Sequence, residues 1–178
     1  DEESAAVRKA YGETPFGQGC LMARCLVEAG VRFVEVTLDG WDTHFDNFTQ
    51  VKSLCAELDP AYASLLRELD ERKLLGRTLV IWMGEFGRTP KITPRDGRDH
   101  YPQAWSLALA GGRIRRGYVH GATDADGAKV RDGLVTVPDL FATLAETMGI
   151  APTTELISPI GRPIAISDGG KVVASLLS

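Results

Sequence analysis

The chain has 178 residues, of which 44% are hydrophobic, so it is long enough to build a substantial core and a single domain is expected. Its formal net charge is -4, and its lysines and arginines are scattered, which argues against nucleic acid or an anionic membrane surface as a partner. No apolar stretch approaches the roughly 20 residues of a membrane-spanning helix, so no membrane span is expected.

A helix followed by a strand is predicted at the start of the chain. Apolar residues spaced three to five apart predict a helix over 16–29, ended by Gly30 in a left-handed conformation. Residues 31–38 mix alternating and continuous apolar positions, which predicts a strand covered on both faces. The strand leads into a Gly-Trp-Asp-Thr-His string at 40–44.

A long helix and a central strand are predicted next. From residue 47 onward, apolar residues recur every three or four positions, which predicts an amphipathic helix. Pro60 interrupts this pattern, and either a kinked helix or a second helix with Pro60 in its first turn would satisfy it. Five consecutive apolar residues at 79–83 give the strongest central-strand signal in the chain.

The second half of the chain alternates loops, short strands and one helix. Prolines and charged residues over 88–102 predict an irregular surface loop, and apolar residues at 104–110 predict another strand. A short strand or edge hairpin is expected at 117–121, and a strand around 164–166 precedes a helical tail at 172–177. Strands that alternate with helices favour an α/β fold with a parallel or mixed sheet covered by helices on both faces.

One further helix carries a specific start signal. Thr136 and Asp139 have the spacing of a capping box, and Gly149 is expected to end the helix.

The candidate chemistry begins with Asp42 and His44. In an extended segment this spacing puts both side chains on one face, where a carboxylate oxygen and an imidazole nitrogen suit zinc, manganese or iron. His100, preceded by Asp99, can supply a further ligand from another loop. The alternative is that Asp42 caps a turn and His44 is a hydrogen-bonded surface histidine.

Glu85 and Arg88 follow the central strand and leave two interpretations open. Either they form a salt bridge that orders the loop, or Glu85 binds metal while Arg88 clamps an oxyanion through its planar guanidinium. The third histidine, His120, is interpreted as structural. The sequence lacks the usual motifs of serine hydrolases, nucleotide hydrolases and dinucleotide-binding proteins.

Six strings give the sequence a family resemblance. They are Phe-Gly-Gln-Gly-Cys-Leu at 16–21, the segments 26–34 and 40–44, Gly-Glu-Phe-Gly-Arg-Thr-Pro at 84–90, Gly-Arg-Asp-His at 97–100, and Gly-Arg-Pro-Ile at 161–164. With these strings the chain resembles the carboxyl-terminal part of an uncharacterised bacterial family, domain of unknown function fifteen-oh-one. The members of that family are related to sulfatases and alkaline phosphatases.

The resemblance implies a fold and a site. The fold is α/β, a three-layer alkaline-phosphatase-like sheet with helices on both faces, of which residues 1–178 form the carboxyl-terminal part, incomplete at the amino-terminal side. Asp42, His44 and His100 look like the ligands of one metal, while Glu85 looks like a ligand of a second metal. Phe86 departs from the pattern, because it stands where the superfamily has a histidine. The resemblance also implies an exported protein.

Two functions follow as hypotheses. The first is a metal-dependent hydrolase of phosphate or sulfate esters, of which the resemblance implies that this chain is a fragment lacking the nucleophile-bearing half. Its expected substrate is a small anionic ester, with Arg88 or Arg98 as the anion clamp. Its metal ligands are drawn from Asp42, His44, Glu85, Asp99 and His100, and zinc is favoured over calcium, manganese or iron. The second is a non-catalytic exported binding or scaffold protein that has kept the sulfatase-like fold.

Overall fold

The computed structural model describes residues 3–178 of the chain. Its helices are α1 (Ala5–Tyr11), α2 (Pro15–Glu28), α3 (Asn47–Glu71) and α4 (Val137–Thr147). Its strands are β1 (Leu79–Trp82), β2 (Gly87–Arg88), β3 (His100–Tyr101), β4 (Ala108–Gly111), β5 (Ala122–Thr123), β6 (Val130–Asp132), β7 (Glu155–Ile157) and β8 (Pro163–Ala165). Short 3-10 turns lie at Leu75–Arg77 and Ala174–Leu176.

The chain divides into two compact units. The first contains the described residues 3–78 together with Glu85–Trp105, and the second contains Leu79–Gly84 together with Ser106–Ser178. Of the described helices, none has both the length and the apolar character needed to cross a bilayer. The mixed helix and strand content agrees with the predicted α/β class.

Three helices build the core of the first unit. Helix α2 begins at Pro15, with the Thr14 side chain accepting a hydrogen bond from the Gly17 amide, and it matches the predicted helix over 16–29 to within one residue at each end. Helix α3 runs without interruption through Pro60, so the two alternatives for this region resolve to one continuous helix. The apolar side chains that these helices bury together are Tyr11, Phe16, Cys20, Leu21, Leu58 and Ala61.

A buried ion-pair cluster lies beside this core. The guanidinium of Arg24, whose side chain is 1% exposed, pairs with the carboxylates of Glu3, Glu28 and Glu68. A buried cation is costly unless it is paired, and three carboxylates around one guanidinium provide the pairing.

The segment 31–38 differs from its prediction. It is extended, and Val36 and Leu38 pack against the helical core, which accounts for its alternating apolar pattern. However, no strand pairs with it among the described residues, and Phe33 on its other face is 80% exposed. The prediction of a strand covered on both faces is therefore not met here. The hydrophobic pattern indicates which side chains are apolar, but it does not determine whether another strand lies alongside.

The strands of the described residues form four two-stranded antiparallel sheets. In the second unit, the predicted central strand is β1, which pairs with β4 so that Leu79 lies opposite Gly111 and Trp82 lies opposite Ala108. The parallel or mixed sheet expected from the alternation of strands and helices is not seen in these pairings. An apolar run indicates burial, but strand direction depends on which segment lies alongside.

Other elements of the second unit follow their local signals to different degrees. The Thr136–Asp139 capping box is confirmed: Asp139 N–H donates to the Thr136 hydroxyl at 3.2 Å, and Thr136 N–H donates to the Asp139 carboxylate at 3.0 Å. The hydrogen bond that the Thr136 hydroxyl donates to the Asp139 carboxylate at 2.6 Å, followed by those from the Lys171 and Thr136 amides, lowers the pKa of Asp139. The strand expected at 117–121 starts only at Ala122, and the expected helical tail is reduced to the 3-10 turn.

Candidate metal centre

The first segment of the site is the turn that carries Asp42 and His44. Thr43 between them is 1% exposed, and its hydroxyl donates to the side-chain oxygen of Asn47 at 2.7 Å. Asn47 is the first residue of α3, so the turn is fixed to the start of that helix. Because Thr43 faces inward, its two neighbours face outward from the same short segment.

A second loop is held against this turn by backbone contacts. The Arg98 amide donates to the Thr43 carbonyl at 3.0 Å, and the Asn47 amide donates to the Asp96 carbonyl at 2.8 Å. Gly97 lies so close to the turn that a Cβ at this position would overlap the carbonyl group of His44. The glycine of the Gly-Arg-Asp-His string is thus required by the close approach of two backbones.

The third piece is the β2–β3 pair, in which Arg88 lies opposite His100. Gly87 permits this pairing, since a Cβ there would overlap the carbonyl oxygen of Ala104. Cross-strand neighbours have adjacent side chains, so the ladder sets the Arg88 guanidinium beside the His100 imidazole.

Three side chains from these segments bring their ligand atoms together. Asp42 Oδ1 lies 3.1 Å from His44 Nε2 and 2.9 Å from His100 Nε2, and the two Nε2 atoms are 3.2 Å apart. Within residues 3–178 they are the one group of three His, Cys, Asp or Glu side chains with this convergence. We call this group the ligand triangle.

The ligand triangle is close to the dimensions of a small divalent ion's coordination shell. Tetrahedral zinc with bonds of about 2.0–2.1 Å separates its ligand atoms by about 3.3–3.4 Å. The edges of 2.9, 3.1 and 3.2 Å therefore need to open by only a few tenths of an ångström. Two imidazoles and one carboxylate also suit zinc, manganese or iron chemically, so the residues fit such an ion.

Asp42 is anionic well below neutral pH. The hydrogen bond from His100 and the ion pair with Arg88, at 2.7 Å from Nη1 to Oδ1, lower the pKa of Asp42 to about 2. The carboxylate is 65% exposed, so solvent screens these interactions but also reaches the site. An exposed oxygen that is charged at neutral pH is available to a cation from solution.

Asp99 lies on the far side of the His44 ring from the ligand triangle. Its Oδ1 is 2.9 Å from His44 Nδ1, whereas the triangle uses Nε2 of the same ring. Asp99 was predicted as a metal ligand. In the structure its carboxylate contacts His44, which is a member of the ligand triangle, and Asp99 itself lies outside the triangle.

The family model described as protein of unknown function (DUF1501) matches residues 1–177. The chain belongs to the DUF1501 family. The family predicted from the six strings is thereby confirmed. No curated protein and no solved structure matches the chain. Membership in DUF1501 names no activity, so the function of this chain is argued from its site.

Two other predicted site residues of this DUF1501 chain lie outside the triangle. Glu85 is exposed and is not part of the convergent group; among the described residues, Arg88 pairs with Asp42 and forms no ion pair with Glu85. Arg98 donates through Nη1 to the carbonyls of Thr89 and Pro90, the second at 2.9 Å. Arg98 thus holds the loop that precedes it.

Sequence reasoning treated Phe86 only as a departure from a family pattern, and its contacts show more. Its ring centroid is 4.5 Å from that of His100, and the Arg88 guanidinium lies 5.8 Å from the Phe86 centroid. The apolar ring of Phe86 packs beside the side chains of His100 and Arg88 and supports them. The signal was available in the sequence, since residues two apart in an extended segment share a face.

Proposed function

We propose that this DUF1501 chain carries the metal site of a hydrolase of phosphate or sulfate esters, with Asp42, His44 and His100 as ligands of one divalent cation. The convergence of the three ligand atoms supports the proposal. The ligands come from two loops that are bonded to each other and to the start of α3, so the arrangement does not depend on one mobile segment.

Zinc is the ion that the ligand set favours. Two imidazole nitrogens with one carboxylate oxygen match the protein ligands of catalytic zinc sites, which keep a fourth position for water or substrate. Calcium prefers a shell of six to eight oxygens, so it suits this site less well than zinc, manganese or iron. A bound ion would supply a Lewis acid for an oxygen of an anionic ester.

Arg88 is the residue to which we assign the substrate anion. Its side chain is 21% exposed, it lies beside the ligand triangle, and Phe86 supports it from one side. A guanidinium presents paired N–H donors that match two oxygens of a phosphate or sulfate group. Arg98 is the less suitable clamp, because its Nη1 is engaged with backbone carbonyls.

Two wider parts of the proposal rest on the resemblance alone. These are the three-layer alkaline-phosphatase-like arrangement of the sheet and the export of the protein. Neither is needed for cation binding by the ligand triangle.

A non-catalytic binding or scaffold protein is the second candidate. The observation that favours it is Phe86, whose ring packs on His100 where the resemblance implies a polar ligand for a second ion. With Glu85 also apart from the triangle, the described residues offer ligands for one ion. A single-ion site supports binding as readily as it supports hydrolysis.

Metal titration of the metal-free protein tests the proposal. We expect the protein to bind a single equivalent of zinc in competition with a chromophoric chelator, and the His44→Ala and His100→Ala variants to lose that binding. His120→Gln is the matched control, because it removes the histidine whose Nδ1 contacts the Ser175 hydroxyl at 3.1 Å and which is not part of the triangle.

Failure of the unaltered protein to retain zinc, manganese or iron would show the proposal to be wrong. If zinc binds, a panel of aryl phosphates and aryl sulfates separates the two candidates. Turnover that disappears in His44→Ala supports the hydrolase, and metal binding without turnover of any member supports the scaffold.

A further inference from the structure

The contact between Asp99 and His44 carries an inference beyond the ligand set. Asp99 Oδ1 lies 2.9 Å from His44 Nδ1, a normal length for a hydrogen bond to a carboxylate. An ionised carboxylate only accepts hydrogen bonds, so the proton of this bond belongs to Nδ1. In a neutral imidazole with its proton on Nδ1, the lone pair is on Nε2.

Nε2 is the nitrogen that faces the rest of the ligand triangle. It lies 3.1 Å from Asp42 Oδ1 and 3.2 Å from His100 Nε2. The Asp42 contact would by itself favour a proton on Nε2, but that Asp42 oxygen already has Arg88 Nη1 at 2.7 Å and His100 Nε2 at 2.9 Å as donors. The Asp99 contact is shorter, and the Asp99 carboxylate has the His44 ring as its described partner, so the single proton of the neutral ring is assigned to Nδ1. The free lone pair of His44 then faces the place where the other two ligand atoms converge.

The position of Asp99 is itself fixed by the loop. Its amide donates to the Thr89 hydroxyl at 3.1 Å, and its carbonyl accepts from the Thr89 amide at 2.9 Å. Its side chain then has the His44 ring as its hydrogen-bonding partner. Asp99 and His100 are consecutive residues with different contacts in the same site. Asp99 contacts Nδ1 of His44, whereas His100 contributes its own Nε2 to the ligand triangle.

We propose that Asp99 is a positioning residue, and not a metal ligand, which holds His44 in the Nδ1–H tautomer and fixes the ring so that Nε2 can bind a cation. The inference rests on the proposed function for the identity of the site, but the tautomer is a property of the metal-free protein. Carboxylates that receive the second N–H of a ligating histidine orient the ring and raise its basicity, and their loss weakens metal binding by about 10–100-fold.

Two substitutions of Asp99 and one control test this role. Asp99→Ala removes the acceptor, while Asp99→Asn keeps an acceptor oxygen and removes the charge. Asp96→Asn is the matched control, because Asp96 is an exposed aspartate of the same loop whose described contacts are made by its backbone. It reproduces the loss of one negative charge near the site without touching His44.

The first measurement is imidazole ¹⁵N NMR on the metal-free protein, at a pH where the ring is neutral. We expect His44 to carry its proton on Nδ1 in the unaltered protein, in Asp96→Asn and predominantly in Asp99→Asn. Asp99→Ala should shift the population toward the Nε2–H form. A His44 tautomer that is the same in Asp99→Ala overturns the proposal.

The second measurement is zinc affinity by chelator competition. We expect a loss of about 10–100-fold in Asp99→Ala, a smaller loss in Asp99→Asn and less than a twofold change in Asp96→Asn. If the zinc affinity of Asp99→Ala is unchanged, the positioning role is wrong. It is also wrong if the zinc affinity falls while the His44 tautomer stays the same, because that result would mark Asp99 as a direct ligand. If the unaltered protein binds no divalent ion, the proposed function fails, while the NMR result still decides whether Asp99 fixes the tautomer.

Discussion

A single oxygen atom of Asp42 receives contacts from three side chains. Oδ1 lies 2.7 Å from Arg88 Nη1, 2.9 Å from His100 Nε2 and 3.1 Å from His44 Nε2. A cation that enters the ligand triangle must share this oxygen with the guanidinium or displace it. Arg88 is therefore a competitor of the metal as well as the proposed partner of the substrate.

Neutralising Arg88 should change the affinity for the cation and the affinity for the anion in opposite directions. We expect Arg88→Gln to strengthen zinc binding, because it removes a positive charge that pairs with the Asp42 oxygen that the cation needs. The same variant, loaded with zinc, should bind inorganic phosphate more weakly. Both are measurable by chelator competition and by calorimetry.

The control for this prediction is Arg95→Gln, which removes a charge from the neighbouring loop where Arg95 stacks on Phe45. It should leave both affinities near those of the unaltered protein. Weaker zinc binding in Arg88→Gln would contradict the competition and indicate that Arg88 orients Asp42 for the cation.

At the scale of elements, the three longer helices α2, α3 and α4 followed their sequence patterns, whereas α1 was not predicted and the predicted helical tail is a 3-10 turn. The bounds of α2 and the capping box of α4 depend on residues within a few positions of one another, so periodicity and cap chemistry were sufficient to predict them. Strand partners depend on residues far apart in sequence. The segment 31–38 and the β1–β4 pair show that a correct strand pattern leaves partner and direction open.

The loop that carries Asp99 and His100 depends on one glycine. We expect Gly97→Ala to lower the stability of the first unit by about 1–3 kcal/mol, because the added methyl group would overlap the backbone of His44. It should also reduce zinc affinity, since the two ligand-bearing loops would be forced apart. Chemical unfolding and zinc titration of the same sample measure both effects.

Gly76→Ala is the matched control for this change. A Cβ on Gly76 would meet no atom within 4 Å, and Gly76 lies in the same unit. It should leave zinc affinity unchanged. Equal effects of the two substitutions would mean that the loss in Gly97→Ala does not come from the contact with His44.

Acid sensitivity is a property of the whole molecule. Among the residues 3–178 that the structure describes, folding lowers the pKa values of four carboxyl groups: Glu3, Asp42, Asp124 and Asp139. The largest cause is the hydrogen bond from Arg24 for Glu3 and the backbone amide of Ala128 for Asp124. The unfolded chain binds more protons than the folded protein in this range, so stability rises with pH.

We therefore expect the thermal midpoint to fall as the pH drops from the ordinary carboxyl range, near pH 4, toward the pKa of about 2 that Asp42 has in the folded protein. The stabilisation is fully present above the unfolded values. In Asp42→Asn the lowest part of this decline should be shallower, because one of the four groups no longer titrates. A thermal midpoint that stays level or rises on acidification would contradict the lowered pKa values of these four carboxyl groups.

The sequence by itself determined the three longer helices α2, α3 and α4, the family and the residue types of the site. Helix signals are local, and the strings around Asp42, His44 and His100 carry their chemistry regardless of conformation. Only the tertiary structure decided which strands pair and what each polar side chain contacts. His44 and Asp99 are 55 positions apart, so the nitrogen that faces the carboxylate is set by how two loops meet, which no local pattern encodes.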